Sequence, residues 1–393
     1  MFLLKNILLN RKGRFMKIII APDSFKGSLT AKEVANSIYT GLKRALPSAE
    51  YIEIPMADGG EGTMQALVDA TNGKIFTKSV TGPLNTSVTA HYGILGDKET
   101  AVIEMAEAAG LQYVNDQTKN PLITTTYGVG ELIKTVLDTG IRKIIVGLGG
   151  SCTNDGGAGM AQALGVKLLN LQGKDIPFGG GNLSQLVRID KSKIDPRLKD
   201  TEIILASDVT NPLTGKNGAS SVFGPQKGAT PEMVEELDQN LHHFAAVARR
   251  DLNKNYENTS GAGAAGGLGF GLLTFTNATI QSGVEAVLEM THFKEKTKDA
   301  DFIFTGEGAT DFQTKFGKTP YGVAKAAKEV APNSTVICLT GNIGEKVNEL
   351  YGPIDAIFAT ESGAKDLKQA IKDSKHDLTQ TSENIGRLIK KLW

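Results

Sequence analysis

Five short loops, each rich in small residues and each following a strand-like run, carry carboxylates. Because ligands of open α/β sheets bind beyond the carboxyl ends of the strands, we expect these loops to share one crevice. The loops are APDSFKGS (21–28), PMADGGEGT (55–63), GLGGSCTNDGG (147–157), ASDVTNPLTG (206–215) and TGEGATD (305–311). Their carboxylates belong to Asp23, Asp58, Glu61, Asp155, Asp208, Glu307 and Asp311.

The residue types in these loops are those that phosphoryl transfer requires. Glycine-rich turns before helices expose backbone N–H groups, and helix N-termini favour anions. Carboxylates hold Mg²⁺, which bridges phosphate oxygens, and a further carboxylate can accept the proton of an attacking hydroxyl group. Lysine side chains neutralise the charge that develops on the transferred group. Together the loops indicate a phosphoryl-transfer site.

Each loop taken alone also has a purely structural interpretation, because Asp, Asn, Ser and Gly are common in turns and N-caps. Glu61 could be a first-turn acid stabilised by a helix dipole, and Asp155 could be the N-cap of the helix around Met160. Asp311 and Lys318 could form a surface ion pair. The recurrence of five such loops, each after an apolar strand, favours the functional interpretation for the group.

The elements that position these loops alternate between strand and helix. Alternation of this kind predicts a parallel sheet covered on both faces. Alternating polar and apolar residues in the middle of the chain predict antiparallel hairpins over 75–104. Strands are predicted at 17–22, 51–55, 301–308, 334–341 and 355–360, and helices at 30–47, 230–248 and 319–331. A capping box of Thr30 and Glu33 is predicted to begin the first helix, and Thr230 as N-cap with Pro231 is predicted to begin the second.

The two ends of the chain are therefore expected to build one doubly wound domain. Residues 16–74 and 290–393 form it, and a mixed α/β domain, 75–289, is inserted between them. Residues 1–15 precede a second methionine, Met16, and are interpreted as an N-terminal extension.

Composition excludes several classes of function. The chain has 43 basic and 43 acidic residues, so net charge gives no reason to expect nucleic acid or an anionic membrane as a partner. No run of eighteen apolar residues is present, which argues against a membrane span. The two cysteines, Cys152 and Cys338, are too few for a disulfide framework and suit the reducing cytoplasm.

Two familiar nucleotide-binding motifs are absent or weak. The stretch GAGAAG (261–266) fits the dinucleotide fingerprint, but ENTS rather than a strand precedes it. A glycine-rich loop that opens the following helix is the better interpretation. No Walker A motif is present, since FGKT (316–319) has Phe312 where the first glycine should stand. The protein-kinase signatures are also absent, so a kinase with this sequence would have neither the Walker A nor the protein-kinase architecture.

Seven long stretches, in order along the chain, resemble the bacterial-type glycerate kinases. The resemblance runs from Met16 to about Lys328. It implies a flavodoxin-like or Rossmann-like domain, an inserted α/β domain and an active site between them. It also implies ATP as donor, Mg²⁺ as cofactor and 2-phosphoglycerate as product. The stretches are MKIIIAPDSFKGSLTAKEVA, PMADGGEGT, GLGGSCTNDGGAG, ASDVTNPLTG, FGPQKGA, GAAGGLGFGL and TGEGATDFQTKFGKTPYGVA.

Roles in such a kinase follow as hypotheses. Either Asp58 or Asp155 accepts the proton from the glycerate hydroxyl group, and the sequence leaves that choice open. Asp208 and Glu307 position Mg²⁺, and Lys26 or Lys318 faces the phosphates. The other residues expected to bind substrate or nucleotide are Asp23, Ser24, Gly59, Gly60, Glu61, Gly150, Ser151, Asn154, Asn211, Gly306 and Asp311.

Three alternatives stay open at this point. The enzyme could phosphorylate glycerate at C3 instead of C2, or it could act on another small hydroxy acid. The protein could also be a non-catalytic binder of a small acid or nucleotide, which would need only the glycine loops. The number of loop carboxylates favours catalysis. The sequence leaves open whether the chain forms a homo-oligomer.

Overall fold

The computed structural model describes residues 15–393. The interpretation of an N-terminal extension falls on residues 1–15, of which 1–14 lie outside the described residues. The described chain divides into two units. The first comprises the described residues up to Asp58, together with Gln65–Thr71 and Val284–Trp393, and the second comprises Gly59–Met64 and Asn72–Gly283.

A five-stranded parallel sheet forms the centre of the first unit. Its strands lie in the order β2-β1-β11-β12-β13, and every neighbouring pair is parallel. Within the unit this is the flavodoxin-like order 2-1-3-4-5. The strands are β1 (Lys17–Ile20), β2 (Glu50–Glu53), β11 (Phe302–Thr310), β12 (Thr335–Ile343) and β13 (Ala356–Ala359).

Helices α1 (Ala31–Ala45) and α12 (Leu367–Leu392) pack together in this unit. The expected capping box at the start of α1 is present, since the Thr30 side chain accepts from Glu33 N and Glu33 accepts from Thr30 N. One buried cluster joins α1 and α12 to the sheet, so it stabilises the helices and the sheet together. The cluster includes Ile18, Ile20, Val34, Ile38, Leu42, Phe304, Leu339, Leu378 and Ile385. The other helices of this unit are α10 (Phe293–Thr297) and α11 (Thr319–Val330).

A six-stranded mixed sheet forms the centre of the second unit, in the order β10-β9-β6-β5-β4-β3. The hairpin predicted in 75–104 is confirmed, because β3 pairs antiparallel with β4 and β4 with β5. The remaining neighbours are parallel. The strands are β3 (Lys74–Thr81), β4 (Ser87–Ile94), β5 (Thr100–Glu104), β6 (Lys143–Gly147), β9 (Glu202–Ala206) and β10 (Ala278–Gln281), with a separate pair β7 (Lys167–Leu169) and β8 (Arg188–Asp190).

Helix α7 (Pro231–Leu252) begins as its sequence indicates, with Thr230 as N-cap and proline at its first position. Helix α8 (Ala264–Phe275) contains left-handed residues at 265–267 before its regular part, which agrees with the glycine-rich opening expected there. The other helices of this unit are α3 (Ala106–Ala109), α4 (Tyr127–Asp138), α5 (Ala158–Ala163) and α6 (Ala219–Phe223). The chain passes between the units within α2 (Thr63–Thr71) and α9 (Gly283–Met290).

The α/β class and the parallel sheet built from the two ends of the chain are thus confirmed. Among the residues described, none of the helices has the length and apolar character needed to cross a bilayer.

Candidate active site

A cavity of about 530 Å³ lies in the first unit, beside the carboxyl ends of β1, β11 and β12. The order of the sheet reverses between β1 and β11, and such switch points are where open α/β sheets bind ligands. The volume is in the range typical of small-molecule sites. The charged side chains that line it are those of Asp23, Lys26, Asp58, Glu307, Lys318, Glu361 and Asp377. Five of these, all but Glu361 and Asp377, were predicted from the sequence.

Asp23 is the buried carboxylate of this cavity, with 8% of the residue exposed. Its Oδ1 accepts from Ser24 N at 2.6 Å, and its Oδ2 accepts from the Thr319 hydroxyl group at 2.6 Å. Its own N–H donates to the Gly306 carbonyl at 2.9 Å, which ties the loop after β1 to β11. Burial, reinforced by the nearby Asp58 carboxylate, raises the pKa of Asp23 to about 6. The cavity therefore places two carboxylates close enough to repel each other.

Glu307 and Lys318 form the ion pair of the cavity, with Oε2 and Nζ 3.4 Å apart. Glu307 Oε1 accepts from the hydroxyl groups of Thr310 and Thr314. Burial raises the pKa of Glu307, and these hydrogen bonds and Lys318 oppose that effect. Asp311 instead caps the short 3₁₀ helix Phe312–Lys315 through Gln313 N. The structure thus pairs Lys318 with Glu307.

Asp155 lies in the second unit, with none of its surface exposed. Its two oxygens accept from Thr126 N, the Thr126 hydroxyl group, Gly157 N and Gly159 N, at 2.9–3.2 Å. Gly157 is the N-cap residue of α5 and Gly159 lies in its first turn, so Asp155 binds the start of that helix. Burial raises the pKa of Asp155, and the four donors oppose that effect. The arrangement is typical of a structural carboxylate that joins two segments.

Glycine loops approach one another at the carboxyl ends of β6 and β9 in the second unit. A Cβ atom on Gly149 would lie 3.0 Å from Gly60 Cα, and one on Gly59 would lie 2.8 Å from the Ala206 carbonyl oxygen. These positions accept no larger residue without movement of the backbone. Asp208 follows β9 and is half-buried, whereas Glu61 is exposed.

The remaining predicted residues of this unit make local hydrogen bonds. Asn154 Nδ2 donates to Ser220 Oγ at 2.8 Å, and Asn211 Nδ2 donates to the Asn217 carbonyl oxygen at 2.8 Å. The Gly150 carbonyl accepts from Leu111 N at 2.9 Å. Ser151 Oγ accepts from the buried Lys227 ammonium group at 2.8 Å. Asp155, Asp208 and their loops, 147–157 and 206–215, belong to the second unit, whereas Asp58 and Glu307 belong to the first.

Gly266 supports the loop that contains Asp155. Its backbone has φ +66°, its carbonyl accepts from Gly156 N at 3.0 Å, and a Cβ atom would lie 1.9 Å from the Thr153 carbonyl oxygen. Gly266→Ala is expected to lower the free energy of unfolding by about 2–4 kcal/mol, because it adds left-handed strain and a backbone clash. Urea unfolding measures this. Gly363→Ala is the control, since its Cβ meets nothing within 4 Å, and equal stabilities of the two variants would contradict the expectation.

Comparison with known proteins settles the family. The model of the glycerate kinase family matches residues 18–390. The chain belongs to the glycerate kinase family. It is 52% identical to glycerate kinase of Bacillus subtilis, over 95% of this chain and 98% of that protein. It is 47% identical to glycerate 2-kinase of Escherichia coli, over 94% and 97%.

A solved crystal structure from Salmonella typhimurium LT2, provisionally named glycerate kinase 2, has the same fold. Its TM-score is 0.88 at 47% identity, covering 96% of this chain and 99% of that one. The prediction of a glycerate kinase from the motifs is thereby confirmed. The family match also extends well beyond Lys328, where the recognisable motifs end.

The described residues contain no preformed metal cage. Within residues 15–393, no group of three or more His, Cys, Asp and Glu side chains is arranged to hold an ion. Mg²⁺ is commonly held by one or two carboxylates together with substrate phosphates, and the cavity carboxylates of the first unit fit that mode. Glu307 is the poorer candidate among them, because Lys318 already faces it.

Sequence reasoning missed three features of this glycerate kinase. Helix α12 lines the cavity with Leu367, Ala370 and Ile371, but it carries no recognisable motif. Glu104, at the end of β5, is buried and accepts from Met64 N at 2.8 Å, and burial raises its pKa to about 6. Lys227 is fully buried. Its only signal was its place in the FGPQKGA stretch.

The Asp23 carboxylate should make the stability of the folded protein depend on pH. Its pKa is higher in the folded protein than the ordinary 3.8, so the folded state favours the protonated form. The charged carboxylate therefore destabilises the folded state above pH 6, and this destabilisation decreases as the pH falls toward 4. Asp23→Asn removes the charge, and without Mg²⁺ or nucleotide it is expected to stabilise the protein at pH 8 by at most about 3 kcal/mol.

Thermal unfolding in EDTA at pH 4.5, 6 and 8 measures this effect. The advantage of Asp23→Asn should shrink as the pH falls. Asp200→Asn, at an exposed aspartate, should show no such trend. An advantage that is absent at pH 8, or that does not change with pH, would contradict the assignment.

Proposed function

We propose that this protein transfers the γ-phosphoryl group of ATP to the C2 hydroxyl group of D-glycerate. The observation that carries the proposal is the cavity of the first unit, which combines Asp58 with the buried Asp23 and with Lys26 and Lys318. A base and two cations in one small-molecule cavity are the protein groups that this transfer needs. The choice of C2 is supported by the relative named glycerate 2-kinase.

Asp58 is the proposed general base. It lines the cavity and is half-buried, so a substrate hydroxyl group can reach it. Asp155 is a poor alternative because it is fully buried and already accepts four hydrogen bonds. The role of Asp58 is to accept the proton of the glycerate hydroxyl group as the oxygen attacks phosphorus.

Lys318 is proposed to bind the phosphate groups and to neutralise the charge on the phosphoryl group during its transfer to glycerate. It is the N-cap of α11, and the N-terminus of a helix adds its own attraction for anions. Lys26, on the loop after β1 and exposed at the cavity, is proposed to bind the glycerate carboxylate. This division gives the transferred phosphoryl group and the glycerate carboxylate one cation each in the cavity.

Asp23 is the residue we assign to Mg²⁺. Burial and the neighbouring Asp58 make the negative charge of Asp23 costly, so a cation there would stabilise it. When bound, Mg²⁺ would neutralise charge on the phosphate oxygens. We also propose that the enzyme acts in the cytoplasm, which agrees with its two unpaired, buried cysteines.

Phosphorus NMR of the product formed from ATP and D-glycerate tests the proposal. The expected product is 2-phosphoglycerate. Formation of 3-phosphoglycerate would overturn the choice of C2, and preference for another hydroxy acid would overturn the choice of acceptor. Binding of both ligands with no ADP released would favour a non-catalytic binding protein instead.

A further inference from the structure

Lys227 is a buried cation that the proposed mechanism does not use. It ends the 3₁₀ helix Pro225–Lys227 and is 1% exposed. Its Nζ donates to Ser151 Oγ at 2.8 Å and to the Thr153 carbonyl oxygen at 2.7 Å. Both acceptors are uncharged, whereas lysine is almost never fully buried unless it is paired.

Burial of this charge is costly. It lowers the pKa of Lys227 to about 8, and the nearby Cys152 and Asp155 oppose that effect only in part. An apolar side chain of similar length would fill the same space without the cost. Packing alone therefore does not explain a lysine here.

The hydrogen bonds of Lys227 fix the exposed turn of the glycine-rich loop. Within residues 147–157, only Gly149 and Gly150 have appreciable exposure. The backbone after this turn is anchored, since Cys152 N donates to the Ala109 carbonyl oxygen at 3.0 Å. Lys227 fixes the Ser151 side chain and the Thr153 carbonyl group. The turn is thus held in one conformation.

The ammonium group also places a positive charge next to that turn, because it contacts Ser151, the residue after Gly150. Charges interact strongly across a buried, low-dielectric region, and a fixed cation beneath exposed backbone favours an anion in front of it. The Thr153 hydroxyl group of the same loop is buried and has no hydrogen-bond partner among the described residues.

We propose that Lys227 is a positioning residue that holds Ser151 and Thr153 so that the Gly149–Gly150 turn binds an anionic group. The group is a phosphate of ATP or the carboxylate of glycerate, and this inference rests on the proposed function. Both ligands present the same chemistry, negatively charged oxygens that accept from backbone N–H groups.

The test compares Lys227→Met with Lys174→Met, a lysine exposed in the same unit. Binding of ATP and of glycerate is measured separately by calorimetry from pH 6.5 to 9.5, and turnover is measured in parallel. Lys227→Met is expected to weaken one ligand by about 10–100-fold, the usual effect of losing a charge-assisted hydrogen-bond network. The ligand that is weakened identifies the source of the anion.

The pH dependence separates a positioning role from a merely structural one. In the wild type, affinity for that ligand should fall as the pH rises through about 8, because the ammonium group loses its proton. Lys227→Met should lack this fall, and Lys174→Met should keep it. A folded Lys227→Met variant with wild-type affinities and pH profile would overturn the proposal.

A second variant decides the matter if Lys227→Met does not fold. Ser151→Ala removes one acceptor and keeps the lysine, so it should weaken the same ligand and move the fall in affinity to lower pH. Unchanged affinity and pH profile in Ser151→Ala would overturn the proposal. Wild-type protein that binds both ligands without forming phosphoglycerate would instead overturn the proposed function alone, since the binding comparison does not depend on turnover.

Discussion

Asp58→Asn is expected to lower kcat for glycerate phosphorylation by about 10²–10⁴-fold, the usual contribution of a positioned general base. The amide keeps the size of the carboxylate but cannot accept the proton. Asp58 is half-buried at the cavity, so the fold should tolerate the change. A coupled assay for ADP with saturating ATP and glycerate measures kcat, and circular dichroism checks the fold.

The pattern across both substrates makes this prediction specific. KM for ATP should change little, because the lost group acts on the acceptor hydroxyl. Asp200→Asn, at an exposed position, should keep full activity. If Asp58→Asn retains wild-type kcat, Asp58 is not the base and the mechanism proposed here fails.

Asp155→Asn is expected to lower the free energy of unfolding by about 3–5 kcal/mol, whereas Asp58→Asn is expected to lower kcat. The Asp155 oxygens face only donors, three backbone N–H groups and the Thr126 hydroxyl group. An amide NH₂ would point at one or more of these donors and leave them unsatisfied in a buried place. Denaturant unfolding gives the loss directly.

The remaining activity of Asp155→Asn distinguishes structure from catalysis. Under stabilising conditions, at low temperature, the folded fraction should keep kcat within a few-fold of the wild type. A variant that is as stable as the wild type but has lost turnover would show that Asp155 is catalytic. Asp58→Asn and Asp155→Asn thus form a matched pair, one expected to lose rate and the other to lose stability.

Local sequence signals were sufficient to predict where helices α1 and α7 begin. The capping box at Thr30 and Glu33 and the Thr230–Pro231 start of α7 appear as predicted, because each depends on residues within one helical turn. The motifs were likewise sufficient for the family, since their types and order are read along the chain.

The partners of the loop carboxylates were decided only by the tertiary structure. Asp155 was nearly balanced between N-cap and base in the sequence. The N-cap of α5 is Gly157, and the burial of Asp155 among donors that include Thr126, 29 positions away, favours a structural role. Lys318 is closer in sequence to Asp311 than to Glu307, yet it pairs with Glu307. Asp311 already caps its own 3₁₀ helix.

The sequence by itself determined the α/β elements, the strand-end position of the candidate residues and the family. Folding decided which of those residues share the Asp23–Asp58 cavity and that α12 lines it. It also decided that Lys227 donates a hydrogen bond to Ser151, 76 positions earlier in the chain. The physical reason is that helix caps and strands depend on near neighbours along the chain. Burial, charge pairing and pKa depend on neighbours in space, which only the packed chain brings together.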